Sequence, residues 1–218
     1  MFQFEWNNAG QFDWPKIKRL FVAAYVGVYK HCDPKELDLN ANVVAHAKAH
    51  NHDPLVAYFE HCFDDEFTKI IDQSKNDKFR INYLVVRMYE QPVAFIVSQL
   101  NYKSGRVYIR WNTVAPIMQN QGLGKRMLSE VARYYDNNGL ELYTRSTNTK
   151  ACDFYRKCGL KEVSQYSFAE PKAGEAITPY AKMWLQNEHY QQTLYAPEDE
   201  RVTKLEAYTA FCRKQLHL

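Results

Sequence analysis

Val114-Ala115-Pro116-Ile117-Met118-Gln119-Asn120-Gln121-Gly122-Leu123-Gly124-Lys125-Arg126-Met127-Leu128 is the stretch on which the fold turns. A strand pattern ends at Val114, a loop with two glycines follows, and a helix begins: Leu123, Met127, Leu128, Val131, Ala132 and Tyr135 recur at helical spacing up to Asn137-Asn138-Gly139. Glycine removes the side chain that would keep a ligand off the main chain, and it permits positive φ. The first turn of a helix carries N–H groups without intrahelical acceptors and a partial positive charge. Together these make a cradle for a diphosphate, with Lys125 and Arg126 adding charge nearby. A tight strand-to-helix turn needs glycine in any case, so the stretch alone leaves both readings open. It is neither the G-x-G-x-x-G dinucleotide fingerprint nor a G-x-x-x-x-G-K-[ST] loop, because only Gly122 and Gly124 are present.

Working outward, Ile81–Tyr89, Val93–Asn101 and Arg106–Val114 read as three successive strands, with turns at Gln91-Pro92 and Ser104-Gly105; links this short imply antiparallel pairing. Before them, Phe2–Trp6 alternates as a short strand. Asp13 then precedes Trp14-Pro15 as a helix start, and Ile17, Leu20, Phe21, Ala24, Tyr25 and Val28 mark a helix over 14–30. A shorter helix is expected over 40–50. Asp53-Pro54 opens another that runs to about 73. After Gly139 come a strand over 140–145, a helix over 149–157 closed by Gly159, and strands over 160–168 and 180–185. Pro171, Gly174 and Pro179 mark the loop between the last two. Beyond 187, Val202, Leu205, Tyr208, Cys212 and Leu216 form one stripe with acids at its start and bases at its end, a C-terminal helix over part of 188–218 that packs on the domain or serves a homodimer.

The chain has 218 residues, 46% of them hydrophobic, enough for a sizeable core without disulfides or structural metal. Five cysteines (Cys32, Cys62, Cys152, Cys158, Cys212) form no C-x-x-C pair, which points to reduced thiols and a cytoplasmic setting. The longest apolar run, Leu20–Val28, is too short to cross a bilayer, and Met1–Glu5 has no leader-like pattern. Net charge is +3, without the basic-aromatic stripe of a nucleic-acid binder. The charge is uneven, however: residues 31–77 hold ten acids and four lysines, so that segment is −6 and the rest of the chain +9. Separate acidic and basic surfaces suit one cationic and one anionic ligand, although a solvated helix face gives the same pattern. His46 and His50 share a helix face, but no H-E-x-x-H or supporting cysteine accompanies them, and no metal site is expected.

Val114, Pro116, Gln119, Gly122 and Gly124 fall in register with V-x-P followed by [RQ]-x-x-G-x-[GA], so the stretch resembles the acyl-CoA signature of the GNAT superfamily of N-acetyltransferases. A second match lies downstream: Asn148, Ala151, Phe154, Tyr155, Lys157, Gly159 and Leu160 are similar to N-x-x-A-x-x-F-Y-x-K-x-G-[FL]. The resemblance covers about residues 1–187. It implies an α/β (α+β) GNAT fold, a mixed, mostly antiparallel sheet of about seven strands flanked by helices, with 31–77 as the variable acceptor-side region.

The resemblance further implies acetyl-CoA as cosubstrate and a primary amine, on a small cationic molecule or a protein, as acceptor. Main chain around Thr113, Val114 and Met118 is expected to bind the pantetheine arm. The amides of Gln119, Asn120, Gln121, Gly122, Leu123, Gly124 and Lys125 are expected to bind the diphosphate, and Asn148 is a further cofactor contact or a helix cap. Tyr155 is the expected general acid toward the leaving sulfur; its alternative role is packing. Asp64, Asp65 and Glu66 are the sharpest candidates for a cationic acceptor. Arg106–Asn112 contains no carboxylate where many members place one, and Glu90 and Glu141 read as surface residues, so the general base stays unassigned. That gap keeps open a non-catalytic acyl-CoA sensor or a protein-interaction module of the same fold.

Overall fold

Apolar spacing and local start signals set the elements, which a computed structural model describes for residues 2–7, 12–32, 41–74, 81–101, 105–136, 139–145, 148–166 and 180–185. In chain order they are β1 (Gln3–Asn7), α1 (Trp14–Tyr29), α2 (Ala41–Ala49), α3 (Pro54–Ser74), β2 (Ile81–Met88), β3 (Gln91–Asn101) and β4 (Arg106–Val114). A 3-10 turn (Pro116–Met118) leads into α4 (Leu123–Tyr134), followed by β5 (Leu140–Arg145), α5 (Thr149–Lys157), β6 (Leu160–Tyr166) and β7 (Tyr180–Leu185). The strands form one seven-stranded sheet in the order β1-β2-β3-β4-β5-β7-β6. Every neighbouring pair is antiparallel except β4 and β5, which are parallel because α4 carries the chain back between them. The fold class expected from the sequence is the one observed. Residues 171–179 and the C-terminal stripe lie outside the described residues.

Strand alternation sends the two faces of the sheet to different helices. Phe95 of β3 meets Phe21 of α1 and Phe67 of α3 at 6.5 and 5.9 Å between ring centroids. On the opposite face Trp6 of β1 stacks on Tyr134 of α4 at 4.2 Å, and Asn82 donates to the Tyr135 hydroxyl at 2.6 Å. Ile17, Leu20, Phe21, Ala24 and Tyr29 are the buried side of α1, as their spacing dictates. Each large side chain of that set adds about 1.5–3 kcal/mol by leaving water. The β2–β3 turn falls on Tyr89 and Glu90, with φ of 48° and 64°, rather than on Gln91-Pro92. Pro92 instead lies opposite Arg87, where the ladder shifts register and a missing N–H is tolerated.

Candidate active site

Helix starts show how the chain treats its unpaired amides. Asp13 caps α1 by accepting from Lys16 N–H at 3.2 Å, Asp53 accepts from Leu55 N–H at 2.8 Å at the start of α3, and Asn148 accepts from Ala151 N–H at 3.1 Å at the start of α5. α4 differs: its cap is Gly122, in the left-handed region at φ 76°, and no side chain closes it. The first bond of its ladder runs from Arg126 N–H to the Gly122 carbonyl at 3.0 Å. The amides of Asn120, Gln121, Gly122, Leu123 and Gly124 therefore have no main-chain acceptor among the described residues. Asn120 is also left-handed, at φ 61°, so the main chain curls twice over Asn120–Gly122, a conformation that can gather N–H groups into a nest.

This donor set is narrower than the sequence implied. Met118 N–H is bonded to the Ala115 carbonyl at 2.8 Å and Gln119 N–H to the Pro116 carbonyl at 3.3 Å, so the 3-10 turn already uses both. The Gln119 side chain donates to the Val114 carbonyl at 3.2 Å, and that of Gln121 to the Ile117 carbonyl at 3.3 Å; both brace the loop. The Lys125 ammonium lies near enough to the buried Cys158 thiol to oppose the effect of burial, which pushes that thiol up to about 11.

Immediately before the nest the sheet parts. β4 and β5 pair only over Val107–Ile109 and Leu140–Leu142. Beyond them Trp111–Val114 pair with β3 and Tyr143–Arg145 with β7, with no pairing between the two segments among the described residues. Ala115 N–H bonds the Val93 carbonyl at 2.8 Å, and Val114 lies opposite Ala94. Antiparallel pairs alternate between bonded and non-bonded, so Thr113 and Ala115 turn their main chain to β3, while Asn112 and Val114 turn theirs to the gap. The gap thus has the edge of an unfilled strand. A bulge at Val97/Ser98 makes the register with β3 pass over Arg110.

α5 closes the gap from one side. Tyr155 is 9% exposed, and its neighbour Phe154 packs against Gly124, where a Cβ would lie 3.0 Å from the Phe154 ring. The two separate sequence motifs therefore meet in space: the bare Gly124 lets α5 approach the first turn of α4. Burial raises the Tyr155 phenol far above its ordinary pKa, while the Asn112 carboxamide beside the hydroxyl pulls it down. The phenol is accordingly protonated throughout the neutral range. Trp111 Nε1 and Asn112 Oδ1 are buried without a hydrogen-bond partner among the described residues, on the half of β4 that borders the gap. Asn148 uses its oxygen for the α5 cap and donates Nδ2–H to the Tyr29 hydroxyl at 3.4 Å.

The acidic candidates do not converge. Asp64 pairs with Lys18 of α1 at 2.7 Å, Asp65 with Lys69 one turn on at 2.7 Å, and Glu66 with Arg110 of β4 at 2.9 Å. Successive helix residues point about 100° apart, so three in a row cannot share one ligand. Glu141 corrects another expectation: it is 2% exposed rather than at the surface, with Oε1 accepting from Asn101 at 2.7 Å and Oε2 buried without a partner among the described residues. Glu90 is exposed. The His46 and His50 rings are 4.2 Å apart, and no group of three or more metal-ligating side chains occurs among the described residues. None of the helices among the described residues is long and apolar enough to cross a membrane.

The chain is thus an α/β scaffold in which a helix left without a side-chain cap stands at the end of a strand that parts from its parallel neighbour. Residues 14–160 match the family described as Acetyltransferase (GNAT) family, more than half of the chain, and the protein belongs to it. Solved structures share the fold. The PaiA N-acetyltransferase from Thermoplasma acidophilum in complex with coenzyme A is 12% identical, with 85% of this chain and 99% of that one covered at a TM-score of 0.58. The ribosomal-protein-S18-alanine N-acetyltransferase from Escherichia coli is 16% identical over 90% and 100%, at 0.53. A spermidine N-acetyltransferase SpeG chimera from Vibrio cholerae and hSSAT is 16% identical over 87% and 97%, also at 0.53. No functionally curated protein matches the sequence.

Proposed function

We propose that this chain is an N-acetyltransferase that transfers acetyl from acetyl-CoA to the primary amine of a small cationic molecule or a protein, by direct attack with both reactants bound. The uncapped start of α4 beside the parted strands carries the reading. Five amides without main-chain acceptors among the described residues fit a diphosphate, and an open strand edge fits a chain of amides such as pantetheine. Acetyl-CoA supplies an acyl group joined through a thioester, open to attack by a neutral amine.

The chain's part in the reaction is placement and proton control. Residues Asn120–Gly124 hold the anionic end and fix the register of the arm along β4. Val114 turns its main chain to the gap, where its N–H stabilises negative charge developing on the carbonyl oxygen. Holding two reactants in one slot removes much of the entropic barrier. Tyr155, protonated at neutral pH, gives its proton to the leaving sulfur. The acidic segment 31–77 raises the local concentration of a cationic acceptor through its field.

Calorimetry with coenzyme A, followed by thiol release from acetyl-CoA with a panel of polyamines, aminoglycosides, amino acids and basic peptides, tests the proposal. Binding together with release on at least one amine is the expected result; failure to bind coenzyme A overturns it. Tyr155→Phe is expected to keep coenzyme A affinity and lower turnover about tenfold or more, and unchanged turnover removes the acid role.

A further inference from the structure

Buried polar atoms in a folded chain have partners, and an exception needs a reason. Asn112 is such an exception. It lies on the half of β4 that has lost β5, its main chain faces the gap, its Oδ1 is buried without a partner among the described residues, and its carboxamide lies beside the Tyr155 hydroxyl. The carboxamide has two different ends: the nitrogen donates and the oxygen accepts. Neither end is used by secondary structure.

We propose that Asn112 is a positioning residue that couples the acceptor to the acid: its Nδ2–H steadies the Tyr155 oxygen, and its Oδ1 receives an N–H of the attacking amine. The inference rests on the acetyltransferase reading and deepens it. The N–C bond forms and the C–S bond breaks; the Tyr155 proton passes to the departing sulfur, and the proton shed by nitrogen returns to the Tyr155 oxygen. The side chains end as they began, and no carboxylate is needed. That agrees with a β4 whose gap half, Arg110–Val114, has none, and with Glu66 already paired to Arg110. While Tyr155 carries negative charge, an adjacent amide N–H is the group that lowers its cost.

Steady-state kinetics on Asn112→Ala and Asn112→Asp, each made alone and in combination with Tyr155→Phe, test this. Asn112→Ala should lower kcat about tenfold or more and raise the acceptor KM several-fold, because both ends are lost. Asn112→Asp keeps shape and an oxygen but lacks the N–H, so kcat should fall similarly with the acceptor KM nearly unchanged. With Tyr155→Phe in place, Asn112→Ala should lower kcat far less than it does alone while still raising the acceptor KM, since the contact to Tyr155 is already gone and only the one to the amine remains to be lost. Equal losses in both backgrounds, full kcat in Asn112→Asp, or an acceptor KM indifferent to Asn112→Ala overturns the proposal. So does a parallel fall in coenzyme A affinity, which would assign Asn112 to packing. Absence of turnover by the unsubstituted chain on every amine removes the acetyltransferase reading and this one with it, whereas turnover insensitive to Asn112 removes only this one.

Discussion

The middle of α3 and the first turn of α4 both present consecutive polar groups, and the fold treats them oppositely. On α3 the carboxylates of Asp64, Asp65 and Glu66 each find a cation within the chain, on α1, on the next helical turn and on β4. On α4 the amides from Asn120 to Gly124 find no main-chain partner among the described residues, because the cap is a glycine with nothing to offer them. Paired charges at a surface contribute little and ask for no ligand. Donors gathered at a helix start beside an open strand edge are incomplete until something anionic and strand-like arrives. The contrast is between charge paired within the chain and main-chain polarity that, on the function proposed above, a ligand completes.

The largest way to break the contrast is to disturb the α4 turn without touching a donor. Gly124→Val puts a branched side chain where even a Cβ lies 3.0 Å from Phe154. Overpacking of this kind costs about 1–3 kcal/mol, and displaced amides pass that cost on as coenzyme A affinity weakened about tenfold or more, at about 1.4 kcal/mol per decade. Calorimetry reads the loss. Phe154→Leu in the same chain should recover most of it by vacating the contact. Failure to recover would mean that the strain is not relieved through α5.

Glu66→Gln sharpens the other side. Its partner Arg110 is largely buried, with 17% of its side chain exposed against 31% for Glu66, and also donates to Gln99 at 3.0 Å. Removing the charge should cost about 1–2 kcal/mol in urea unfolding, with an unchanged m-value, and should leave coenzyme A affinity as it was. A large drop in coenzyme A binding would show that α3 and the nest are one unit after all.

Where the sequence was legible, local rules sufficed. Asp13, Asp53 and Asn148 announce helix starts by their own chemistry, and the spacing of Leu123, Met127, Leu128, Val131 and Ala132 fixes the buried side of α4. What stayed hidden depends on partners far along the chain. Leu140-Glu141-Leu142 alternates as a half-exposed strand would, yet β5 is an interior strand of a seven-stranded sheet, and Glu141 is buried. Asn112 belongs to no motif. The role proposed for it depends on β5 departing from β4 and on α5 bringing Tyr155 alongside. For the acid triplet, Asp65 with Lys69 could be read from i,i+4 spacing, whereas Lys18 and Arg110 reach Asp64 and Glu66 only through tertiary packing.

The smallest effect is the most diagnostic for acceptor recognition. The hydrogen bond from Lys69 holds the Asp65 carboxyl below its ordinary pKa, so that pair is intact at neutral pH and is lost only as acid protonates the carboxylate. Asp64 pairs with Lys18 while 61% of its own side chain remains exposed. Replacing both with Asn should therefore leave the melting temperature unmoved, and any influence on a dicationic acceptor must act through the field of the −6 segment rather than through contact. A field reaches about 10 Å at 0.1 M salt and about 3 Å at 1 M. The substitution should thus lower kcat/KM modestly in dilute buffer, and the difference should vanish as salt is added. A salt-independent rise in the acceptor KM would instead make Asp64 and Asp65 true ligands and dissolve the distinction between charge that is paired and polarity that waits.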